Sequence, residues 1–119
     1  MKMREEERIM VVKKWWANKD DYFTYRGCRV ARVTPFRETE KAYGVYVHTT
    51  NSSGATKMFI PKSVVEKILT EHEVFDKVNS LNHEDMLRMA AKCQQAHYDE
   101  KFDTEARMMA EILVDLEIL

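Results

Sequence analysis

Two stretches with alternating side chains, joined by a short polar turn, constrain the fold of this chain more than any other feature. In residues 41–50 the apolar or β-branched side chains occupy every second position, which is typical of a half-buried strand. Residues 51–54 (Asn-Ser-Ser-Gly) are turn formers, and Gly54 can adopt a positive φ. Residues 56–60 predict the return strand, and Pro61 ends it because proline has no N–H to donate. The sequence therefore predicts a β-hairpin.

A third strand is predicted before this hairpin. Residues 22–34 are rich in aromatic and β-branched side chains, and Gly27 is a candidate for a bulge. Pro35 is expected to end the strand, and residues 36–40 to turn the chain back. Since each strand would then lie beside the next one, we expect a three-stranded antiparallel sheet, either open or curled into a small barrel.

The N-terminal segment is predicted to be a helix. Residues 2–17 place Ile9, Val12 and Trp16 on one helical face, and glutamates fall in the first turns, where they suit the helix dipole. A strand over residues 9–16 is the alternative. Trp15 and Trp16 cannot face the same way, so one ring would lie in the core and the other on the rim or at a partner.

Three or four helices are predicted after the sheet. Ser63 and Glu66 have the spacing of a capping box for a helix through residue 69, and the same spacing recurs at Thr70. Asn82 and Asp103 are candidate N-caps for the last two helices. The predicted fold class is α+β, with an N-terminal helix, a three-stranded antiparallel sheet and C-terminal helices that pack on it.

The length of 119 residues predicts a single domain, in which residues 1–21 form the N-terminal helix, residues 22–62 the sheet and residues 63–119 the helical part. No apolar run approaches the roughly 20 residues of a membrane span, and residues 1–7 are too charged to begin a secretory signal. We therefore expect a cytoplasmic protein with no membrane partner. Cys28 and Cys93 are expected to remain thiols, since they are far apart and form no CxxC motif.

Charge is distributed unevenly along the chain although the formal net charge is −1. Counting Lys and Arg against Asp and Glu gives +1 for residues 1–21, +5 for residues 22–69 and −7 for residues 70–119. A basic sheet is thus joined to an acidic helical part. This asymmetry determines what each surface can attract.

The residues that usually carry catalysis or hold cofactors are not arranged for either purpose in this sequence. The four histidines are not spaced to share a helical face with a carboxylate, so no metal site is predicted. The chain contains no P-loop, GxGxxG or GxSxG motif, so no cofactor is expected. Cys28 and His48 on neighbouring strands are the one conceivable nucleophile and base. No catalytic residue is predicted, and an enzyme is not the expected class.

The basic, aromatic sheet is the predicted binding surface. A basic groove lined with rings is how single-stranded nucleic acids are bound without regard to sequence, because every base has a π face and the backbone charge is constant. The candidate residues for contact with nucleic acid, or with a protein that handles it, are Arg26, Arg29, Arg32, Arg37, Lys57, Lys62, Tyr46 and Phe59. The alternative is that these cations pair with the acidic helices of the same chain.

A second hypothesis places the function on the acidic helices. They would present carboxylates to the basic surface of a host enzyme, as an inhibitor or interaction protein does. The candidate residues are Asp99, Glu100, Asp103 and Glu105. Apolar side chains run almost all round residues 108–119, which indicates either full burial of this helix or a homodimer contact through the C-terminal helices.

One segment resembles a known pattern. Residues 38–42 (Glu-Thr-Glu-Lys-Ala) precede a strand, and residues 59–63 (Phe-Ile-Pro-Lys-Ser) close the next one. This resembles small β-rich domains of phage-encoded and bacterial accessory proteins, in which the pattern is E-T-x-K-A, a hairpin and an aromatic-x-P-K-S, usually with tryptophan where this chain has Phe59. The resemblance covers residues 38–63. It implies an accessory role in nucleic-acid metabolism and brings no functional residues with it.

Overall fold

The computed structural model describes residues 7–17, 28–48, 55–99 and 104–119. The strands are β1 (Arg8–Val12), β2 (Val30–Glu38), β3 (Ala42–His48), β4 (Ala55–Pro61) and β5 (Val65–Leu69). The helices are the four-residue α1 (Lys14–Ala17), then α2 (Glu71–Asn79), α3 (His83–Asp99) and α4 (Glu105–Asp115), and a 3-10 turn (Lys62–Val64) joins β4 to β5. The structure has the predicted α+β class, and its three long helices follow the last strand in the sequence.

The sheet has five strands in the order β4-β3-β2-β1-β5, and every pairing is antiparallel. The predicted three-stranded sheet is therefore wrong, although the β3–β4 hairpin it was built on is confirmed. Both additional strands lie where helices were predicted. Among the described residues β4 and β5 do not pair with each other, so the sheet is open and the predicted alternative of a closed barrel is also wrong.

β1 occupies residues 8–12 of the predicted N-terminal helix, so the alternative strand prediction was nearer the structure there. Residues 14–17 are helical, and residues 2–6 of the predicted helix lie outside the described residues. Residues 9–12 are all buried. Ile9 and Val11 face the helices, whereas Met10 and Val12 face the opposite side of the sheet. A strand buried on both faces has no polar alternation, and a continuous apolar run cannot be distinguished from a helix by periodicity.

β5 replaces the predicted helix that was to begin at Ser63. No side chain caps the 3-10 turn at this point, and the chain then extends to pair with β1 from Val65 to Leu69. The residues of this segment include adjacent valines and an isoleucine, which favour strands. Pairing with the free edge of β1 thus outweighs the local capping signal.

β2 continues through Pro35 to Glu38 instead of ending at the proline. The ladder to β3 shifts its register between Pro35 and Arg37, which inserts Phe36 as one extra residue. A bulge tolerates proline because the ladder is already interrupted there. The predicted bulge at Gly27 lies outside the described residues, as do residues 22–27 of the predicted strand and the turn at residues 51–54.

The sheet is strongly curled, because its two edge strands are joined by only three residues. In a flat sheet β4 and β5 would lie four strand spacings apart, or roughly 19 Å. The step from Pro61 to Val65 spans at most about 14 Å even when fully extended. Backbone hydrogen bonds from Lys62 N to Lys41 O (2.8 Å) and from Lys13 N to Val64 O (2.9 Å) hold this turn in place.

The two sides of the curled sheet bury separate apolar clusters. The inner side is lined from β1 to β4 and by Val64 of the 3-10 turn, and Trp16 packs against it. The outer side of β1 and the start of β2 packs against α4, and α2 and α3 pack on α4 in turn. Burial of Ile112, Leu113 and Val114 accounts for the apolar residues found all round this helix.

Helix starts agree in part with their predictions. Thr70 forms the predicted capping box with Glu73, and Asn82 Oδ1 accepts from Asp85 N at 2.8 Å, so both predictions are confirmed. The last helix is capped by Thr104, whereas the predicted cap, Asp103, lies outside the described residues. In the described part of the chain no helix is long and apolar enough to cross a membrane.

Two charged side chains of α4 complete the hydrogen bonding of the beginning of β2. Glu111 Oε1 accepts from the backbone N–H groups of Arg29 (2.8 Å) and Val30 (3.0 Å). Arg107 Nε donates to the carbonyl of Val30 at 2.9 Å. Both side chains are buried, so the helix satisfies these backbone groups as a neighbouring strand would.

Candidate nucleic-acid interface

The outer side of β2, β3 and β4 is not covered by the helices in its distal half and carries aromatic and basic side chains. Residues directly opposite each other in an antiparallel sheet share a face. The register pairs Tyr46 with Lys57 and Gly44 with Phe59, on the face opposite to buried Val45 and Val47. The aromatic and basic side chains on these strands therefore meet on one surface.

The bulge in β2 adds two more side chains to this surface. Because Phe36 is the extra residue, Arg37 pairs with Gly44 and so shares its face, and the Phe36 ring lies over Gly44 as well. If the side chains alternated regularly, either Phe36 or Arg37 would lie on the inner side of the sheet. Phe36, Tyr46, Phe59, Lys57 and Arg37 together are called the aromatic face below.

The Phe36 ring contacts both other rings of the aromatic face. The Phe36 centroid lies 5.0 Å from that of Tyr46 and 5.6 Å from that of Phe59, with interplanar angles of 46° and 75°. These are the tilted and edge-to-face arrangements that aromatic pairs prefer. Tyr46 remains 38% exposed and Phe59 47% exposed, so two of the three rings offer surface to a ligand.

Gly44 makes this cluster possible. A Cβ at this position would lie 2.8 Å from Phe59 Cε1 and 2.9 Å from Phe36 Cζ, both below the contact distance of carbon atoms. The glycine therefore leaves the space in which rings from β2 and β4 close over β3.

Two cations lie on the aromatic face without a carboxylate partner among the described residues. The Lys57 ammonium is 4.9 Å from the centroid of the Phe36 ring, in cation–π contact. Arg37 is exposed, and no described Asp or Glu forms an ion pair with it. Their charge is therefore available to an anionic ligand.

Three other predicted cations are engaged in ion pairs. Arg29 contacts Glu66 at 2.5 Å and also donates to the carbonyl of Val12, and Arg32 contacts both carboxylate oxygens of Glu7 at 3.1 Å. Lys62 contacts Glu38 at 2.5 Å, and this hydrogen bond raises the pKa of the Lys62 ammonium. The three carboxylates come from β2, from β5 and from the residue before β1, whereas the alternative prediction had these cations pair with the acidic helices.

The remaining predicted site residues cannot be placed on a common surface. Arg26, Glu100 and Asp103 lie outside the described residues, and α3 ends at Asp99, whose side chain the structure does not describe. Glu105 is exposed in the first turn of α4. Glu105 is therefore the one acidic candidate whose side chain is described.

The described residues do not assemble a catalytic or metal centre. Cys28 is buried, and His48 lies opposite Arg32 with its Nε2 2.8 Å from Thr34 Oγ1. Cys28 precedes that ladder position by four residues, so the two are not cross-strand neighbours. No group of three or more His, Cys, Asp or Glu side chains that could hold a metal ion occurs within the described ranges. The aromatic face can stack planar groups and attract negative charge.

The sequence indicated part of this site. Tyr46, Phe59 and Lys57 are candidates on the two strands of the predicted hairpin. Arg37 is a candidate in the predicted turn at residues 36–40, and Phe36 was assigned to the same turn without being a candidate. The signal that could have identified it is Pro35 inside an otherwise strand-like stretch, since proline in a strand marks an edge or a bulge.

Comparisons with known proteins leave the chain without an assigned family. No protein-family model, no curated protein and no solved structure matches it. The resemblance of residues 38–63 to small phage and bacterial accessory domains thus stays a prediction, and the chemistry of the aromatic face is the ground on which a function can be proposed.

Proposed function

We propose that this protein is a non-catalytic binding protein for single-stranded nucleic acid, and that the aromatic face is its binding surface. The proposal is carried by one observation: two well exposed rings, both packed against the Phe36 ring, lie beside two cations that have no carboxylate partner in the described structure. Bases supply planar π faces and phosphates supply negative charge, so this ligand matches both features.

A single strand fits this surface better than a duplex does. In a duplex the base faces are stacked on one another, so exposed rings have nothing to stack on without unpairing. The rings lie on the outer side of a curled sheet, which cannot enclose a double helix. Single-stranded bases can be splayed out onto such rings.

A protein partner is a weaker match for the same surface. Stable protein interfaces involve about 20 to 30 residues on each side, far more than the five side chains of the aromatic face. Stacking is worth about 1–3 kcal/mol per base, so two stacked bases, together with phosphate contacts to the two cations, can give detectable binding to a surface of this size. We expect a modest affinity, with a dissociation constant in about the high micromolar range.

Fluorescence anisotropy of end-labelled oligonucleotides tests the proposal. The single strand should be a thymidylate chain of about ten nucleotides, comparable with the site size of small single-strand-binding domains, and the matched duplex should carry the same label. We expect the single strand to bind and the duplex to bind more weakly. Equal binding of both, or no binding at low salt, would contradict the proposal.

Substitutions locate the binding on the aromatic face. Phe59→Ala and Tyr46→Ala should each weaken binding, whereas Leu87→Ala, which removes an equally exposed apolar side chain from α3, should not. Lys57→Ala should weaken binding more than Lys67→Ala, a matched exposed lysine on the edge strand β5. Loss of binding in the control variants alone would place the site elsewhere.

A further inference from the structure

We infer that the aromatic face holds two adjacent nucleotides, with one base on Tyr46, the next on Phe59 and the linking phosphate at Lys57. This inference rests on the proposed function and adds to it the length of the ligand and the place of each of its groups.

The two exposed rings are separated by a third one. Phe36 lies between them, with its centroid 5.0 Å from Tyr46 and 5.6 Å from Phe59, and it is itself only partly exposed. The centroids of Tyr46 and Phe59 can therefore be no further apart than these two distances together. That leaves two stacking positions within one nucleotide step of each other, and Phe36 supports both from the side.

The lysine ammonium lies where the two stacking positions meet. Lys57 Nζ is 4.9 Å from the centroid of Phe36, the ring that separates the two exposed ones. On the ladder Lys57 pairs with Tyr46 and stands two residues from Phe59 on the same strand. A phosphate that links bases on those two rings has to pass this ammonium.

Arg37 adds a second cation to the aromatic face, on the other side of Gly44 from Phe59. It pairs with Gly44, which pairs with Phe59 on the next strand, so the three residues form one row across the sheet. Two strand spacings, or roughly 10 Å, therefore separate Arg37 from Phe59 along this row. The Arg37 guanidinium adds positive charge beside the two rings, and Lys57 is the cation assigned to the linking phosphate.

A length series of unlabelled thymidylates tests the footprint, with the intact protein and competition against a labelled thymidylate of about ten nucleotides. Affinity should rise about 5- to 100-fold from the mononucleotide to the dinucleotide and then only in proportion to the number of binding registers. A steep rise that continues beyond about four nucleotides would overturn the two-nucleotide site while leaving the proposed function intact. Failure of every length to bind would contradict the proposed function itself.

The assignment of one base to each ring is tested by measuring mononucleotide and dinucleotide binding to variants that lack one ring. In Tyr46→Ala or Phe59→Ala the dinucleotide should lose its advantage over the mononucleotide, because one stacking position is gone. Leu87→Ala serves as the control and should keep the advantage. An advantage that survives in both ring variants would contradict the assignment of one base to each ring.

The role of Lys57 is tested with a dinucleotide whose linking phosphate is replaced by an uncharged methylphosphonate. The unaltered protein should bind the neutral ligand less tightly than the phosphate, and Lys57→Gln should bind the two equally. Lys67→Gln should discriminate as the unaltered protein does. If Lys57→Gln still discriminated, the linking phosphate would not lie at Lys57.

Discussion

Gly44 has its role through the side chain that it lacks. It lies in the middle of β3, where most residues would contribute packing, and here the absent side chain leaves room for the rings of two neighbouring strands. The lack of a side chain at this one position therefore determines how the rings of the aromatic face pack. A single methyl group at this position is a direct test of that shape.

Gly44→Ala should impair ligand binding more than it impairs folding. The new methyl would force the Phe36 and Phe59 rings apart, since it would lie 2.9 and 2.8 Å from them. Overpacking of this kind costs about 1–3 kcal/mol, and part of it is relieved because both rings are near the surface. Urea denaturation gives the change in stability, and oligothymidylate titration gives the change in affinity. Unchanged affinity with a destabilised fold would show that the ring contact is not needed for binding.

Glu111 is a second residue whose chemistry can be tested. Burial raises the pKa of its carboxyl, and nearby Asp115 adds to this, although the N–H groups of Arg29 and Val30 act in the opposite direction. A raised pKa means that the folded state binds the proton more readily than the unfolded state does. The stability of the protein should therefore increase as the pH falls from neutrality towards the ordinary pKa of a glutamate.

Glu111→Gln should remove this pH dependence. The amide oxygen can still accept from both backbone N–H groups, but the side chain no longer titrates. The free energy of unfolding, measured in urea at several pH values, should rise on acidification by more in the unaltered protein than in Glu111→Gln. Parallel curves would contradict the assignment. Glu111→Ala should be less stable at every pH, because it leaves two buried N–H groups without an acceptor.

At the scale of elements, two identical capping signals have different outcomes. Ser63 with Glu66 and Thr70 with Glu73 share the spacing of a capping box, yet only the second forms one. After Ser63 the chain lies beside the edge of β1 that does not pair with β2, and it pairs with that edge as β5. After Thr70 the chain does not pair with any strand among the described residues, and the local signal determines the structure.

Removal of each hydroxyl tests this difference. Thr70→Ala should lower the free energy of unfolding by about 0.5–2 kcal/mol, since the Thr70 side chain accepts from Glu73 N at 3.0 Å. Ser63→Ala should change it by less than about 0.5 kcal/mol, because the hydroxyl caps nothing. Thermal or urea unfolding distinguishes the two. Equal losses would mean that Ser63 has a structural role beyond capping.

The elements that could be predicted are those whose signals are local. The β3–β4 hairpin and the starts of α2 and α3 follow from alternation, turn residues and caps within a few positions. β1 is a strand because it pairs with both β2 and β5, and β5 is a strand because it pairs with β1, where Leu69 lies opposite Ile9 from a distant part of the sequence. A pattern read within a short window cannot contain such a contact. The same applies to Phe36, whose direction depends on the register of two strands.

At the scale of the whole molecule, the basic character of residues 22–69 is reduced by pairing within the sheet. Arg29, Arg32 and Lys62 contact glutamates, and these contacts leave Lys57 and Arg37 as the cations of the aromatic face. The charge count along the chain therefore overstates the positive charge that remains on this surface. The spatial pairing of charges determines what a ligand meets.

The salt dependence of binding should show this small number of contacts. For a single strand the slope of log K against log salt is about −0.7 per phosphate contact, so two cations predict a slope of about −1.4. Contact by all six predicted cations would give about −4. Anisotropy titrations at several salt concentrations measure the slope, and a value near the larger figure would show that the ion pairs open on binding. Lys57→Ala should reduce the magnitude by about half, and Lys67→Ala should leave it unchanged.

The buried contact between the beginning of β2 and α4 also bears on when the chain can fold during its synthesis. Val30 is made early, but the Glu111 and Arg107 groups that satisfy its backbone are made some eighty residues later. The β3–β4 hairpin can form while the chain is still growing, whereas β1 needs β5 at one edge and α4 across its face. The part of the sheet around β1 can therefore be completed only after α4 has been made, so a chain whose synthesis stalls before residue 105 would hold an unfinished sheet with an exposed apolar face.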